Sequence, residues 1–507
     1  GRDALPSGVT GGNHRLGVLL PYTPLHHLLF HPVPGHPDGV VPDVVVMTSG
    51  NLADEPIATD EAEARERLGG IADLLLVHDR PIVRHVDDSI VRVMLGRELV
   101  MRRARGYAPL PVPASPATGR AVAVGAHLKN TVAVSTAEGI AVSQHIGDLE
   151  TPEATEAHRR VVSDLQSLLQ VEPGVVVTDQ HPDYLSTRHG GRLGLPVVRV
   201  QHHVAHVAAC MAENDLQPPV LGVSWDGTGY GADGTVWGGE FLVIRSGGWE
   251  RAACLRPFRL PGGEQAVREP RRSALGVAWA ADEAGAEQVR AAAEAGFERP
   301  EIDVLRRALA RGLNVPVTTS AGRLFDAAAS LAGLAQRSTF EGQAAMALEW
   351  AFDEAASGAY PLAVVDDGER WSASMAGWQP PAFIVDWEPA IRALARDRAA
   401  GASQGAMSAR FHRMLAAAVV QVAERVGEVQ VVLTGGCFQN RRLTELVVEA
   451  LLRAGFRPYW HQRLPPNDGG IAAGQLAAWA RGLAGSPSTP SSSTRRPVRA
   501  PATSGTR

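Results

Sequence analysis

The sequence predicts an α/β protein that is built from two or three domains. Its 507 residues are too many for a single hydrophobic core. Apolar residues make up 45% of the chain and charged residues 20%, which is typical of a soluble globular protein. Apolar runs of strand length alternate with helical stretches along the chain, and this alternation favours the α/β class.

Composition excludes several classes of function. The net charge is -5 and the isoelectric point is near 6.4, so no overall field would recruit nucleic acid or an anionic membrane. The three cysteines, Cys210, Cys254 and Cys437, lie too far apart in sequence for a disulfide framework or a zinc module. No signal peptide is recognised, and no apolar run reaches the ~18 residues of a membrane span. We therefore expect a cytoplasmic protein that binds neither nucleic acid nor membrane.

The first domain is expected to cover residues 1–112. Residues 44–47 and 72–77 read as buried strands, and residues 59–68 between them read as a helix. Residues 113–119 are rich in Pro and Ala and are predicted to form a linker.

An internal repeat follows the linker. Each copy reads as strand, polar turn, strand, turn, strand, with strands at 121–125, 131–135 and 140–143, and again at 220–224, 235–237 and 239–244. Duplicated three-strand units with phosphate-facing turns are the plan of the actin-like ATPase fold. A chance likeness between two β-meanders is the alternative interpretation.

On the first interpretation, residues 120–215 form lobe I and residues 216–485 form lobe II. Residues 264–358 are predicted to be mainly helical, and a long amphipathic helix at 407–426 leads into a strand at 429–433. Residues 486–507 have a Ser, Pro, Thr and Arg composition that cannot bury a core, so this tail is predicted to be disordered.

Two histidines at helical spacing are the candidate centre of a metal site. His202 and His206 are four residues apart, hence on one face of a helix and able to reach one ion. Asp226 and Asp468 lie in glycine-rich segments predicted to be turns, from which a carboxylate could approach. Two imidazoles and two carboxylates suit Fe(II) or Zn(II) with positions open for a substrate oxygen. Solvent-facing or core histidines and turn-capping aspartates are the alternatives.

Glycine-rich turns after strands are candidates for binding phosphate or ribose. Two such segments, at residues 226–231 and 434–436, let the backbone approach a ligand without a Cβ clash. Lys129, in the turn of the first repeat, is placed to meet a phosphate or else is a solvated turn lysine. Asp326, near the start of a predicted helix, could hold a ribose hydroxyl or favour the helix N-terminus.

The N-terminal domain carries a second candidate ligand site. Ser49 and Asn51 follow a predicted strand, and Arg102, Arg103 and Arg105 lie within a few residues of one another. Clustered guanidiniums beside hydroxyl and amide groups suit a phosphate-bearing ligand, and a solvated basic strand edge is the alternative. A nucleophilic role for Cys437 is disfavoured because no base lies near it in sequence, so packing is the better interpretation.

At this point the chain resembles the HypF family of hydrogenase maturation carbamoyltransferases. The matching motifs run in order from about residue 16 to residue 480. They are Leu20-Pro-Tyr-Thr-Pro-Leu-His-His, Met47-Thr-Ser-Gly-Asn-Leu, His78-Asp-Arg-Pro-Ile, Asp87-Asp-Ser, Arg102-Arg-Ala-Arg-Gly-Tyr-Ala-Pro, Gly125-Ala-His-Leu-Lys-Asn-Thr, Val200-Gln-His-His, Asp226-Gly-Thr-Gly-Tyr-Gly, Leu260-Pro-Gly-Gly, Gly322-Arg-Leu-Phe-Asp-Ala, Phe340-Glu-Gly-Gln-Ala-Ala, Leu433-Thr-Gly-Gly-Cys-Phe-Gln-Asn and Pro466-Asn-Asp-Gly-Gly.

The resemblance implies a partial YrdC-like α/β domain followed by a two-lobed actin-like domain of the threonylcarbamoyl-transferase type. In that family carbamoyl phosphate and ATP yield carbamoyl adenylate. The carbamoyl group then passes to the C-terminal cysteine of the partner HypE, as the precursor of the cyanide ligands on the [NiFe] centre. The implied cofactors are ATP and a divalent metal, Fe or Zn, with Mg²⁺ accompanying ATP as a further option.

The resemblance also assigns residues. The candidate metal-binding and catalytic residues are His202, His206, Asp226 and Asp468. By the resemblance, nucleotide would be held by Gly322, Asp326, Gly435, Gly436 and Asn440, and Lys129, Gly227 and Gly229 from the turns described above are further candidates. The YrdC-like site would be lined by Ser49, Asn51 and the arginines, Arg103 among them.

The match does not extend to the family's acylphosphatase-like domain, its zinc-finger pair or the first half of its YrdC-like domain. Hydrolysis of carbamoyl phosphate is therefore not expected from this stretch alone, and adenylate formation is in question. One rival is an O-carbamoyltransferase that acts on a small-molecule hydroxyl, although its YrdC-like part follows the actin-like part. The other rival is a non-catalytic module that only docks a partner.

Overall fold

The computed structural model describes Val9 and residues 16–484, except residues 33, 36–40, 54, 115–118, 282–285, 367, 373–374 and 376. The predicted disordered tail at 486–507 and the middle of the predicted linker lie outside these residues. Among the residues described, no helix has both the length and the apolar character to cross a membrane.

The N-terminal unit contains little regular structure. Its elements are helices α1 (Pro24–Leu29) and α2 (Glu61–Leu68) and strands β1 (Ile90–Met94) and β2 (Arg97–Arg102). The predicted helix at 59–68 is confirmed, and Asp60 caps it by accepting from the N–H groups of its first turn. The predicted strands at 44–47 and 72–77 are wrong. A strand needs a neighbouring backbone, and none of the described segments pairs with these residues, which leaves Val44 78% and Leu74 91% exposed.

The β1–β2 hairpin packs on the rest of the chain. Leu99 and Val100 are buried, and the N–H of Val100 donates to the carbonyl of Gln462 (3.0 Å). The side-chain amide of Asn467 donates to the carbonyl of Met101 (3.1 Å). The hairpin is thus hydrogen-bonded to the segment that precedes Asp468.

A first mixed sheet follows. In the described part of the chain its strand order is β3-β6-β5-β4-β7-β8. The elements are β3 (Pro111–Val112), β4 (Ala121–Ala123), β5 (Ala133–Thr136), β6 (Gly139–Val142), α3 (Pro152–Leu169), β7 (Val175–Asp179), α4 (Leu185–Gly190), β8 (Val197–Val200) and α5 (His202–Glu213).

The second sheet has the main path β14-β15-β11-β10-β9-β16-β17 among the residues described. Its strands are β9 (Val220–Tyr230), β10 (Val236–Arg245), β11 (Gly248–Leu255), β12 (Phe258–Arg259), β13 (Val317–Thr318), β14 (Ala363–Val365), β15 (Phe383–Asp386), β16 (Gln430–Thr434) and β17 (Arg457–Trp460). The helices that accompany it are α6 (Gln265–Arg268), α7 (Pro270–Ala280), α8 (Glu287–Glu294), α9 (Arg299–Arg311), α10 (Ala321–Leu331), α11 (Gln343–Ala351), α12 (Glu369–Ser372), α13 (Glu388–Ala399), α14 (Gln404–Val426), α15 (Arg441–Arg453) and α16 (Ile471–Ala480).

The two sheets share one topology. The order β6-β5-β4-β7-β8 in the first recurs as β11-β10-β9-β16-β17 in the second. In both, the third strand pairs antiparallel with the second, the second antiparallel with the first, and the first runs parallel to the fourth, which is parallel to the fifth. The repeat predicted from the sequence is therefore a repeat of strand order and direction.

The strand boundaries in the second copy differ from those predicted. The segments at 235–237 and 239–244 form one strand, β10, whose register shifts between Trp237 and Gly239, and the third strand is β11. The predicted turn at 226–231 is also wrong, because β9 continues through it and Gly229 pairs with Trp237. Glycines weaken a strand but do not stop its backbone from pairing.

Helical predictions for the second half are confirmed. Residues 264–358 are mainly helical, the helix predicted at 407–426 is α14, and the strand predicted at 429–433 is β16. Helix α16 packs against α5, in the same hydrophobic cluster as the first sheet. The two helices cross closely, because a Cβ on Gly474 would lie 1.9 Å from the carbonyl oxygen of Ala205.

Candidate metal centre

Helix α5 carries both histidines and begins directly after strand β8. Gln201 caps it, since its side-chain oxygen accepts from the N–H of Val204 (3.0 Å) and its amide donates to the carbonyl of Tyr230 (2.9 Å). His202 and His206 lie one turn apart and are 0% and 1% exposed. The helix therefore presents two imidazoles to one buried point.

Two carboxylates reach the same point from distant segments. Asp226 lies within β9, and its Oδ1 accepts from the N–H of Gly436 (3.0 Å). Asp468 opens a 3₁₀ turn that Asn467 caps by accepting from the N–H of Gly469 (3.0 Å). The glycine-rich turn predicted around Asp468 is confirmed, whereas Asp226 points from a strand.

The four donor atoms are spaced as metal ligands would be. His202 Nε2 lies 3.6 Å from both Asp226 Oδ2 and Asp468 Oδ1, and His206 Nε2 lies 3.4 Å and 3.6 Å from the same two oxygens. Tetrahedral ligands on bonds of about 2.1 Å are separated by about 3.4 Å. Both Nε2 atoms are buried without a hydrogen-bond partner. This donor set fits a divalent cation such as Fe(II) or Zn(II).

Charge in the cluster favours protons on the imidazoles until a cation replaces them. Burial lowers the pKa of His202, but the charges of Asp468 and Asp179 outweigh it and raise that pKa well above its usual value. Burial raises the pKa of Asp226 and Asp468, but the imidazoles of His202 and His206 hold both below their usual value. Both carboxylates are thus ionised and available to a cation.

A third carboxylate, which the sequence analysis missed, orients His202. Asp179 ends strand β7 and is completely buried. Its Oδ2 accepts from His202 Nδ1 (2.8 Å), and its Oδ1 accepts from the N–H of His181 (2.9 Å). With the imidazole proton on Nδ1, Nε2 presents a lone pair to the cluster. The sequence signal for this carboxylate is an apolar strand whose last residue, Asp179, begins the polar run Asp-Gln-His-Pro-Asp-Tyr.

Two of the candidate nucleotide glycines lie where backbones touch. Gly435 has φ +94°, and a Cβ there would lie 2.2 Å from the carbonyl oxygen of Trp225. A Cβ on Gly322 would lie 2.8 Å from the Cα of Gly227. Glycine at Gly435 and Gly322 therefore lets the turn after β16 and the start of α10 approach strand β9 beside the cluster, and a Cβ on Gly436 would lie 2.8 Å from Asp226 Oδ1.

Gly229 leaves space for the imidazoles of His202 and His203. A Cβ there would lie 2.5 Å from His203 Cε1 and 2.8 Å from His202 Cδ2. Absence of a side chain at Gly229 is thus what allows the imidazoles to pack against β9.

Asp326 and Asn440 have different surroundings. Asp326 is buried on α10 with its Oδ2 3.1 Å from Arg323 Nη2, and burial raises its pKa to about 6 despite the opposing charge of Arg323. Asn440 caps α15 by accepting from the N–H of Leu443 (3.0 Å), and its side-chain nitrogen lies 2.9 Å from His412 Nε2. Asn440 thus shapes the turn after β16.

Lys129 connects the two lobes. It has φ +45°, and its ammonium forms an ion pair with Glu341. Burial lowers the pKa of Lys129, but the charges of Glu341 and Asp468 outweigh it. Because the charge of Asp468 raises the pKa of Lys129, this ammonium lies near the cluster.

The structure does not bring together the phosphate site predicted in the N-terminal unit. Arg103 is 3% exposed, and its guanidinium donates to the carbonyls of Tyr107 (2.8 Å), Leu110 (2.5 Å) and Arg463 (3.2 Å). Ser49 is exposed, and the amide of Asn51 donates to the carbonyl of Leu52 (2.7 Å). Arg103 therefore faces the protein interior, where backbone carbonyls accept from both of its terminal nitrogens.

Cys437 lies in the 3₁₀ turn after β16. It packs against the large core of the second lobe, and burial raises the pKa of its thiol well above the usual value. Both observations support the interpretation of Cys437 as a packing residue.

Family models match three consecutive stretches of the chain. Residues 116–213 match the HypF Kae1-like domain, and residues 222–475 match the second subdomain of the carbamoyltransferase Kae1-like domain. Residues 1–104 match the Sua5/YciO/YrdC family, described as telomere recombination.

Curated relatives agree with these models. The chain is 42% identical to the carbamoyltransferase HypF of Synechocystis sp. over 491 residues, which cover 94% of this chain and 61% of the relative. It is 36% identical over 386 residues to a HypF homologue of Cupriavidus necator, covering 73% of this chain and 93% of the relative. The chain belongs to the HypF carbamoyltransferase family. It spans about three fifths of the length of the Synechocystis relative.

Solved structures support the fold. A full-length HypF in its phosphate- and nucleotide-bound form superposes with a TM-score of 0.83 at 36% identity, covering 93% of this chain and 71% of that one. The HypF of T. kodakarensis superposes with a TM-score of 0.81 at 31% identity, covering 94% and 61%. The predicted class, a YrdC-like part followed by a two-lobed actin-like domain, is confirmed.

Proposed function

We propose that this chain performs carbamoyl transfer in the maturation of [NiFe] hydrogenase. Its family and the names of its curated relatives support the reaction class. The observation that carries the proposal is the convergence of His202, His206, Asp226 and Asp468 on one buried point between the two lobes.

These four residues would hold a divalent cation, Fe or Zn. Bound there, the cation would supply Lewis-acid polarisation of the carbamoyl carbonyl. Asp179 would keep His202 in the tautomer that offers its Nε2 lone pair. Burial of the imidazoles limits water at this point, which would protect a reactive anhydride from hydrolysis.

A nucleotide would lie beside the cluster, near Gly322 at the start of α10 and the turn Gly435–Gly436. The N-terminus of a helix favours phosphate, and α10 is 11 residues long. Asp326, with its pKa raised to about 6, could hold a ribose hydroxyl. Lys129 and the backbone at Gly227 would face the phosphates, and a HypF relative has been solved with phosphate and nucleotide bound. We assign ATP, with Mg²⁺ as a further ion, to this region.

In the proposed reaction carbamoyl phosphate, water and ATP give carbamoyl adenylate, with phosphate and pyrophosphate as the other products. A thiolate at the C-terminal cysteine of a HypE-type acceptor attacks the carbamoyl carbon, the bond from that carbon to the AMP oxygen breaks, and AMP leaves. We assign transfer to lobes 120–215 and 216–485 and keep Ser49 and Asn51 of the YrdC-like part, residues 1–112, as candidate ligand-binding residues; adenylate formation is not assigned to this stretch alone. The reaction would take place in the cytoplasm, with no nucleic acid or membrane partner.

The substitution Asp468→Asn tests the assignment. We expect it to lower metal affinity by more than about 100-fold, because it neutralises a direct ligand. Loss of a residue that only hydrogen-bonds a ligand already lowers metal affinity about 10- to 100-fold. Metal content by mass spectrometry and transfer of carbamoyl to the acceptor should fall together. Asp303→Asn, at an exposed position on α9, is the matched control. Full metal content in purified Asp468→Asn would contradict the ligand assignment, and a wild-type chain that binds neither ATP nor AMP would support a docking module.

A further inference from the structure

The loop after β7 brings a tyrosine to the cleft. The ring of Tyr184 stacks on the imidazole of His181, with centroids 4.1 Å apart and planes inclined by 2°. It also stacks on His127, from the first turn of lobe I, at 5.5 Å and 19°. Two flat partners fix the orientation of this ring, and therefore the direction of its hydroxyl.

The same loop is tied to the carboxylate that orients His202. The N–H of His181 donates to Asp179 Oδ1 (2.9 Å), and Asp179 Oδ2 accepts from His202 Nδ1 (2.8 Å). Further along, the hydroxyl of Ser186 donates to the carbonyl of Gly125 (3.2 Å). Tyr184 therefore stands on a segment with a fixed position relative to the candidate metal centre.

The phenol of Tyr184 is close to that centre and is not used by the fold. Burial raises its pKa, the imidazole of His202 lowers it, and the charges of Asp179, Asp468 and Asp226 raise it further. Tyr184 precedes α4 without a side-chain capping bond, and its hydroxyl has no hydrogen-bond partner among the described residues. A neutral hydroxyl with a free proton thus lies near the four donor groups of the cluster.

We propose that the Tyr184 hydroxyl donates a hydrogen bond to the carbamoyl group held in the cleft. This inference rests on the proposed function and adds a residue that contacts the group being transferred. The carbonyl oxygen of that group gains negative charge as a thiolate attacks its carbon, so a fixed donor stabilises the transition state more than the bound substrate. The rival interpretation is that Tyr184 only packs on His181 and His127.

The variant Tyr184→Phe separates these interpretations, because it removes the hydroxyl and keeps the ring. The probe is 5′-O-(N-carbamoylsulfamoyl)adenosine, a stable mimic of carbamoyl adenylate, with AMP as the matched ligand that lacks the carbamoyl group. Calorimetry should show AMP affinity unchanged and affinity for the mimic lowered about 3- to 10-fold, the effect of one lost hydrogen bond. Metal content and melting temperature should match the wild type. Tyr459→Phe, on strand β17, controls for loss of a phenol elsewhere.

Each outcome decides the matter. Equal loss of affinity for AMP and the mimic, or loss of metal, would assign Tyr184 a packing role and overturn the inference. An unchanged preference of Tyr184→Phe for the mimic would overturn it too, while leaving the proposed function in place. A wild-type chain with no preference for the mimic over AMP would remove both the proposed function and this inference. Retained AMP binding with a weakened preference for the mimic supports the hydrogen bond.

Discussion

The two copies of the repeat have the same strand order but end their fourth strands differently. In the first copy β7 ends in Asp179, a buried carboxylate that accepts from His202. In the second copy β16 ends in Thr434, followed by Gly435 and Gly436. The hydroxyl of Thr434 donates to the carbonyl of His206 (3.1 Å), and the N–H of Gly436 donates to Asp226.

This difference shows how a duplicated scaffold builds an asymmetric site. The first copy contributes the imidazole pair and the carboxylate that orients one of them. The second copy contributes two carboxylates, Asp226 and Asp468, and a glycine turn with room for backbone approach. The equivalent ends of the fourth strands both contact the four-residue cluster, so each copy could specialise without any change in strand order.

Of the effects that test this comparison between the copies, the largest is expected from removing the orienting carboxylate of the first copy. Asp179→Ala should lower metal affinity about 10- to 100-fold, because His202 loses the acceptor that fixes its tautomer. Metal titration of the variant measures this change. Asp179→Asn separates the charge from the acceptor, and Asp183→Ala, at an exposed carboxylate in the same loop, is the control. Wild-type metal affinity in Asp179→Ala would mean that the first copy does not contribute an orienting carboxylate to the site.

A smaller effect should follow where the last helices of the two copies cross. Gly474→Ala places a methyl group against the carbonyl of Ala205. This overpacking should lower the free energy of unfolding of the protein by about 1–3 kcal/mol. Chemical denaturation reports the difference, and Gly248→Ala, where nothing lies within 4 Å of the added methyl, is the control. Equal stability of the two variants would show that helices α5 and α16 can move apart to accommodate the methyl group without a loss of folding free energy.

The smallest effect concerns one buried histidine in each lobe. Burial lowers the pKa of both His158 and His412 to about 4, below the value near 6.5 expected in the unfolded chain. Because the unfolded state binds these protons first, stability is full above about pH 6.5 and declines as the pH falls towards 4. We expect a loss of about 1 kcal/mol per histidine between pH 6 and pH 5.

Urea denaturation of the wild type, His158→Phe and His412→Phe at pH 7, 6 and 5 measures this contribution. Each variant should lose less stability than the wild type as the pH is lowered. If one variant keeps the full pH dependence, the histidine in that lobe does not contribute to it.

Local patterns predicted much of the fold and the centre of the site. The spacing of His202 and His206 fixes one helical face, and the apolar runs of both copies gave the strands around β4 and β16. Features that depend on distant partners were not predicted. Residues 44–47 have the composition of a strand but no neighbour to pair with among the described residues, and Arg103 has the charge of a ligand-binding group but faces carbonyls.

The same reason explains the missed residues. Asp179 resembles any aspartate after a strand until helix α5 is packed against it, and Tyr184 gains meaning only from the rings beside it. The glycines around Asp226 predict a turn, whereas pairing with the neighbouring strand β10 holds this residue in a sheet.

The bond from Asn467 to Met101 has a mechanical consequence. Asn467 immediately precedes Asp468, and its amide is held by the carbonyl at the end of the N-terminal hairpin. Any displacement of that hairpin must either break this link or pull on the turn that aims a carboxylate into the cleft. The N-terminal unit and the two lobes are therefore linked at the residue next to Asp468, so exchanging one for a foreign counterpart would disturb the other.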